Sequence, residues 1–199
     1  MYESLGTSSI VRPPSRLRWL TFLGLGVCLA ALLAALAIVA AQTLLPSALS
    51  AFTPTAEDGY RPDGTVVTLE DEDLSMISRL EPGLREALRQ AAADAANEGV
   101  SFQVTSGWRS ERYQQRLLED AVEQYGSERV AREYVATPDR SMHVTGEAVD
   151  IAPVDAQVWL SAYGARYGIC QTYANERWHF ELATEPGGVC PAMKTDAAG

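Results

Sequence analysis

The two histidines of this 199-residue chain lie in two short polar runs, and a shared site would require the fold to bring those runs together. The first run begins at Ser141, contains His143 and continues to Asp150, whereas the second ends at His179. Imidazole and carboxylate groups are common zinc ligands, and a catalytic zinc site usually takes three protein ligands and leaves a fourth position open. His143, Asp150 and His179 supply that number. We therefore predict one metal site built from both runs.

The first run is predicted to be a loop that enters a strand. A helix would place His143 and Asp150 two turns apart, but Gly146 and the β-branched residues around it disfavour a helix. Because side chains alternate along a strand, Asp150 would face the site while Val149 and Ile151 enter the core.

The second run is predicted to be a strand with an acidic residue before it. Alternation would place Trp178 and Phe180 in the core and His179 in the cleft. Glu176 is not needed as a ligand, so it is free to act as general base toward water that the metal acidifies. Taken singly, each of these polar residues would be a hydrogen-bonded or solvated side chain. Their joint pattern favours the metal site.

Together these residues resemble a known family. The pattern Ser-x-His-x-x-Gly-x-Ala-x-Asp, followed by Glu-x-Trp-His, is similar to the zinc D-alanyl-D-alanine carboxypeptidases of the VanY type, over roughly residues 74–182. The resemblance implies the LAS- and hedgehog-like zinc peptidase fold, an α+β fold with a small antiparallel sheet and packed helices. It also implies that His143, Asp150 and His179 bind Zn²⁺ and that Glu176 is the catalytic base.

A Ser-Gly-Trp-Arg stretch that ends at Arg109 is similar to the Ser-Gly-Tyr-Arg stretch of that family. By position, Arg109 would bind substrate or stabilise the developing oxyanion, and Ser141 and Gln114 would lie on the substrate side. The residues give a separate reason, because Arg109 follows a predicted strand and precedes a predicted helix, where functional groups are common. Its guanidinium donates hydrogen bonds in a fixed fork. A surface arginine at the start of that helix is the alternative.

An uncharged stretch from Trp19 to about Leu45 dominates the N-terminal part of the chain. It is long enough to span a bilayer, and the arginines that precede it favour a cytoplasmic N-terminus. We therefore predict a basic cytoplasmic segment over residues 1–18 and a transmembrane anchor over residues 19–45, with the rest outside the membrane. A cleaved signal peptide is the alternative, although the apolar run is longer than a typical signal core.

Residues 46–73 are rich in proline and glycine, contain an acidic run and show little periodicity, which predicts an extracytoplasmic linker. Residues 74–199 suit one compact catalytic domain. Ser110 is a predicted N-cap, and residues 154–163 predict a further helix. The order of helices and strands indicates an α+β fold. A helix that packs on the sheet is predicted from the spacing of Leu84, Leu88, Ala91 and Ala95.

Cys170 and Cys190 are the two cysteines of the predicted domain. In an oxidising compartment, a disulfide between them would close a loop around Glu176 and His179 and stiffen it. Two unpaired buried thiols are the alternative.

The formal net charge of −10 disfavours nucleic acid as a partner. With both histidines assigned to the metal, none is left to activate a serine or cysteine nucleophile. The resemblance implies a zinc D,D-carboxypeptidase that hydrolyses the terminal D-Ala-D-Ala bond of peptidoglycan stem peptides. With the predicted anchor, we expect a membrane-anchored monomer. A D-Ala-D-Ala dipeptidase, a peptidoglycan endopeptidase and a non-catalytic zinc-binding cell-wall domain are the alternatives.

Overall fold

The computed structural model describes residues 29–39 and 52–199, and the chain divides into two units, Met1–Ala51 and Phe52–Gly199. In the first unit, residues 29–39 are helical and exposed. Among the described residues, no helix has the length and apolar character needed to cross a membrane. The predicted cytoplasmic segment over residues 1–18 and the remainder of the predicted anchor lie outside the described residues.

Four short strands form the antiparallel sheet of the second unit, in the order β1-β2-β4-β3. They are β1 (Gln103–Ser106), β2 (Ala148–Ala152), β3 (Ile169–Gln171) and β4 (His179–Leu182). β2 pairs with β1 on one side and with β4 on the other, and its register places Asp150 opposite His179. Two residues of the predicted metal site are therefore neighbours across the strands.

Six helices surround the sheet. They are α1 (Ser75–Ser78), α2 (Pro82–Asn97), α3 (Glu111–Tyr125), α4 (Glu128–Ala131), α5 (Met142–Thr145) and α6 (Val154–Tyr163), with 3-10 turns at Ala56–Asp58 and Gly164–Tyr167. The predicted apolar stripe of α2 lies in the main core with residues of the sheet. Ser110 caps α3 as predicted, because the Tyr113 N–H donates to its Oγ at 3.1 Å. The predicted α+β fold is confirmed.

The two faces of β2 and β4 have different environments. Val149, Ile151 and Phe180 have no solvent exposure and belong to the main core. Asp150 and His179 lie between these residues in the sequence and line a pocket. Because neighbouring side chains of a strand point to opposite faces, the pocket lies on the face opposite the core, as the alternation of both runs predicted.

The prediction that Trp178 enters the core is wrong. Its side chain is 42% exposed and lines the pocket. β4 begins at His179, so the alternation that buries Phe180 does not extend back to Trp178.

The prediction of a loop at His143 is also wrong in detail, because His143 lies in the one-turn helix α5. Gly146 ends this turn with a positive φ of 79°. A Cβ atom at that position would lie 2.3 Å from the Arg79 carbonyl oxygen, so a glycine is required there. The chain then enters β2 two residues later.

The structure corrects the linker predicted over residues 46–73, since the folded domain already includes the chain from residue 52. Val67 and Leu69 are buried in the main core, and the Val104 N–H donates to the Val67 carbonyl at 2.8 Å. Asp58 accepts a hydrogen bond from the Ser110 hydroxyl at 2.8 Å. These contacts place the start of the domain before residue 74. Residues 46–51 lie outside the described residues.

The predicted disulfide between Cys170 and Cys190 is present. It joins β3 to the C-terminal segment, and the loop that it closes contains Glu176 and His179.

Candidate metal centre

Three potential ligand atoms converge beside β2 and β4. His143 Nε2 lies 3.2 Å from His179 Nδ1 and 3.3 Å from Asp150 Oδ1, and the latter two atoms are 3.2 Å apart. Ligand atoms about 2.0–2.1 Å from a tetrahedral zinc ion are separated by about 3.3–3.4 Å. The triangle therefore matches one face of a tetrahedral zinc site. The structure brings together the three residues that were predicted from the sequence to bind a metal.

The outer nitrogen of each imidazole faces an acceptor. His143 Nδ1 lies 2.8 Å from the Gly107 carbonyl oxygen, and His179 Nε2 lies 3.0 Å from Glu181 Oε1. Because these oxygens accept, each outer nitrogen donates, and a neutral imidazole then presents its lone pair to the triangle. Three acceptor atoms so close together repel one another unless a proton or a cation lies between them. These two nitrogens and one carboxylate oxygen therefore fit a divalent metal ion as ligands.

Burial and charge shift the pKa values of the two imidazoles in opposite directions. Burial, reinforced by the Arg109 guanidinium, lowers the pKa of His143 to about 4, so its imidazole is neutral as a ligand must be. Burial also acts to lower the pKa of His179, but the carboxylates of Asp150 and Glu181 outweigh it and raise that pKa to about 9. In the metal-free protein His179 therefore holds a proton against Asp150. Metal binding must displace that proton.

Glu176 lies beside the triangle and has one unpaired oxygen. Its Oε2 is 3.8 Å from His179 Nδ1, whereas its Oε1 is buried without a hydrogen-bond partner in the described part of the chain. Burial raises the pKa of Glu176 to about 7, although the positive charge of His179 opposes the shift. A general base works best when its pKa is near the operating pH. The position and pKa of Glu176 both suit it to accept a proton.

Three neighbours fix the guanidinium of Arg109. Its Nε donates to Ser106 Oγ at 2.7 Å, its Nη1 to Gln114 Oε1 at 3.0 Å, and its Nη2 to Asp150 Oδ2 at 2.8 Å. A guanidinium has five N–H groups, so two remain for a bound molecule. Gln114 is 1% exposed and its Nε2 donates to the Ala136 carbonyl at 2.8 Å. Each end of this amide has one partner, and through its oxygen Gln114 positions Arg109, while the residue also lines the pocket as expected for the substrate side.

These side chains open into one cavity of about 210 Å³, which Ser141 and Trp178 also line. The Tyr173 ring lies against the His179 ring, with their centroids 5.0 Å apart. The cavity is smaller than the roughly 300–1,000 Å³ of pockets that hold drug-sized ligands. A cavity of this size can hold the small chemical groups on either side of a reacting bond.

Sequence reasoning missed Glu181 and Gly107, which hold the two imidazoles. Glu181 lies two residues after His179 on the same face of β4, so the alternation of a strand would have identified it. Gly107 acts through its backbone carbonyl, which no side-chain pattern reveals.

Residues 77–186 match the family model described as VanY, D-alanyl-D-alanine carboxypeptidase. A search of curated proteins found no match. Among solved structures, VanYB in complex with D-Alanine-D-Alanine is 26% identical, with 60% of this chain and 79% of that chain covered and a TM-score of 0.50. The LdcB LD-carboxypeptidase is 24% identical, with 68% and 72% covered and a TM-score of 0.52, which is a likeness of fold. A mutant of a vancomycin resistance D,D-pentapeptidase VanY in complex with Zn(II) is 26% identical, with 51% and 71% covered and a TM-score of 0.48.

Proposed function

The chain belongs to the VanY family of D-alanyl-D-alanine carboxypeptidases, and on that basis we propose that it removes the terminal D-alanine of peptidoglycan stem peptides in a zinc-dependent hydrolysis. One observation carries this proposal. The triangle of His143 Nε2, Asp150 Oδ1 and His179 Nδ1 shares a pocket with the unpaired oxygen of Glu176. The substrate class is supported by VanYB, which is solved in complex with D-Alanine-D-Alanine.

His143, Asp150 and His179 would hold the metal ion. When bound, zinc supplies a Lewis acid that polarises a carbonyl oxygen and lowers the pKa of water. Glu181 and the Gly107 carbonyl keep the two imidazoles oriented toward it.

Glu176 moves the proton in the proposed reaction. Its buried carboxylate accepts a proton from water as the water oxygen bonds to the carbonyl carbon between the two D-alanines. The same carboxyl group then donates the proton to the nitrogen of the terminal D-alanine as the C–N bond breaks. The products are a shortened peptide with a new carboxylate and free D-alanine.

Arg109 is the protein side chain that provides a positive charge in the pocket. Two of its N–H groups remain for substrate, because Ser106, Gln114 and Asp150 occupy the others. They can donate to the carbonyl oxygen that gains negative charge or to the carboxylate of the peptide. The three fixed contacts hold the guanidinium in place before substrate arrives, so little reorganisation is needed.

The test is incubation of the full chain with a pentapeptide stem that ends in D-Ala-D-Ala, with and without a chelator, followed by mass spectrometry. We expect loss of a single alanine that the chelator abolishes. Release of the dipeptide, or a cut inside the stem, would replace the carboxypeptidase with a dipeptidase or an endopeptidase. An intact peptide together with one bound zinc per chain would contradict a catalytic role.

We also propose that residues 19–45 anchor the chain in the membrane and leave the catalytic domain outside. The proposal is supported by the length of the uncharged stretch and by the arginines before it. A disulfide in the domain suits an oxidising compartment. Fractionation of cells that express either the full chain or residues 52–199 tests the anchor. A full chain that washes off membranes as readily as the shorter form would contradict it.

A further inference from the structure

One wall of the pocket comes from the last residues of the chain. Ala197 is 7% exposed and lines the pocket together with Ser141, Glu176 and His179. The residues that match the family model end at 186, so this wall lies outside the matched part of the sequence. We call residues 190–199 the C-terminal strap.

The strap is held first beside the loop that leads to Glu176. The Lys194 N–H donates to the Thr172 carbonyl, and the Ala174 N–H donates to the Lys194 carbonyl, both at 2.9 Å. These bonds form a short parallel bridge between Lys194 and Tyr173. The Cys170–Cys190 disulfide lies at the start of the strap.

The strap has a second set of contacts, with Arg140 and with the Glu133 carbonyl. Arg140 Nη1 donates to the Ala198 carbonyl at 2.9 Å, and the Ala197 N–H donates to the Glu133 carbonyl at 3.4 Å. Asn175 Nδ2 donates to the same Glu133 carbonyl at 2.8 Å, so the loop before Glu176 and the strap meet there. The strap is therefore held at several points and forms a fixed wall.

We propose that Ala197 is a specificity-determining residue, and that the strap restricts the pocket to peptides with small side chains next to the cleaved bond. Ala197 presents only a methyl group to a cavity of about 210 Å³. A larger side chain there would occupy volume that the substrate needs. The inference rests on the proposed function, because it specifies which residues that reaction accepts.

The test compares two adjacent alanines of the strap in the full, zinc-loaded chain. Ala197→Leu fills the pocket, whereas Ala198→Leu adds the same groups at an exposed position and is the matched control. The kcat/KM for a pentapeptide ending in D-Ala-D-Ala and the affinity for the dipeptide D-Ala-D-Ala are measured, with zinc content and Tm as checks on folding. We expect a kcat/KM at least roughly 10- to 200-fold lower for Ala197→Leu, the range for a single methylene in a hydrophobic pocket. Ala198→Leu should match the wild type.

Ala197→Gly gives a second measurement that does not depend on tolerance of a larger side chain. It removes the methyl wall, so the ratio of kcat/KM for a stem ending in D-Ala-D-Ala to that for a stem ending in D-Ala-D-Leu should fall. An unchanged ratio, together with equal kinetics for Ala197→Leu and Ala198→Leu, would overturn the role of Ala197.

Failure of the proposed function has a different signature. If the wild type cleaves no stem peptide, the reaction is wrong, and the affinities for the dipeptide then decide the strap inference. Weaker binding to Ala197→Leu than to Ala198→Leu supports the wall. Equal affinities, or no binding to any variant, overturn it.

Discussion

Strands β2 and β4 are paired in the sheet, and the two faces of this pair lie in different environments. One face is buried in the main core, and the other lines the pocket. Val149, Ile151 and Phe180 have no exposure on the core face, whereas Asp150 and His179 lie on the opposite face with atoms 3.2 Å apart. A slip of one residue would exchange the two faces, so burial of the apolar set fixes the register. The core face therefore sets the backbone register of the site face, which can carry polar groups that would otherwise cost stability. The following changes test this division of roles.

The largest effect is expected from a break in the site face at His179. His179→Ala removes one of the converging nitrogens, so we expect the purified chain to contain no stoichiometric zinc and to show no measurable hydrolysis. The circular dichroism spectrum should remain that of the folded protein, because the imidazole is not part of the main core. Metal analysis provides the measurement, and one tightly bound zinc per variant chain would reject the ligand assignment.

Glu176→Ala should show that turnover can be lost while zinc binding at the site face is kept. Since Glu176 is not one of the converging ligands, the variant should keep its zinc while turnover falls roughly 10²- to 10⁴-fold, the range for a general base. Glu147→Ala is the control, because Glu147 is an exposed carboxylate in the first polar run. Near-native turnover of Glu176→Ala would show that another group accepts the proton.

A break in the core face should change stability instead. Phe180→Ala removes a fully buried ring and should lower the free energy of unfolding by about 3–5 kcal/mol, because a cavity remains. Urea denaturation measures the loss, and Phe180→Leu should lose less. The molecules that remain folded should bind zinc with unchanged affinity. Weakened zinc affinity in the folded population would mean that the two faces are not independent.

Glu181→Gln tests whether support of the site face is electrostatic. The carboxylate accepts from His179 Nε2 at 3.0 Å; the amide oxygen of the variant can still accept but has no charge, and mutation of such a partner typically weakens metal binding 10- to 100-fold. Competition with a chromogenic chelator gives the affinity, and Glu185→Gln, at an exposed position, is the control. Equal zinc affinities for both variants would remove Glu181 from the site.

The smallest effect is expected for Ile151→Val, which removes one methylene from the core face. The free energy of unfolding should fall by about 0.5–1.5 kcal/mol, and zinc affinity and turnover should stay unchanged. Chemical denaturation and enzyme assays of the same preparation measure both. A marked loss of activity without a loss of stability would contradict the proposed separation.

The sequence predicted these faces because alternation is a local property of a strand. It placed Ile151 and Phe180 in the core and brought Asp150 and His179 to one side, in agreement with the structure. It failed at Trp178 because this residue belongs to the turn before β4, although its carbonyl still accepts a hydrogen bond from the Ile151 N–H at 2.9 Å.

The remaining errors and omissions concern contacts between distant parts of the chain. Val67 and Leu69 lie in a stretch rich in proline and glycine, and they are buried in the main core together with residues of β1 and α2. Ala197 lines the pocket because a disulfide and a short parallel bridge return the chain to it. Neither the burial of Val67 and Leu69 nor the position of Ala197 produces a periodic pattern in the sequence, because both depend on contacts with distant residues.

Asp150 divides its carboxylate between two partners. Its Oδ1 completes the metal triangle, and its Oδ2 accepts from Arg109 Nη2 at 2.8 Å. Any turn of this carboxylate that improves one contact changes the other, so zinc and a ligand of Arg109 are linked in free energy. By reciprocity, each must change the binding of the other by the same factor. A molecule that loses its metal therefore also changes its affinity for a ligand of Arg109, by the same factor by which that ligand changes the affinity for the metal.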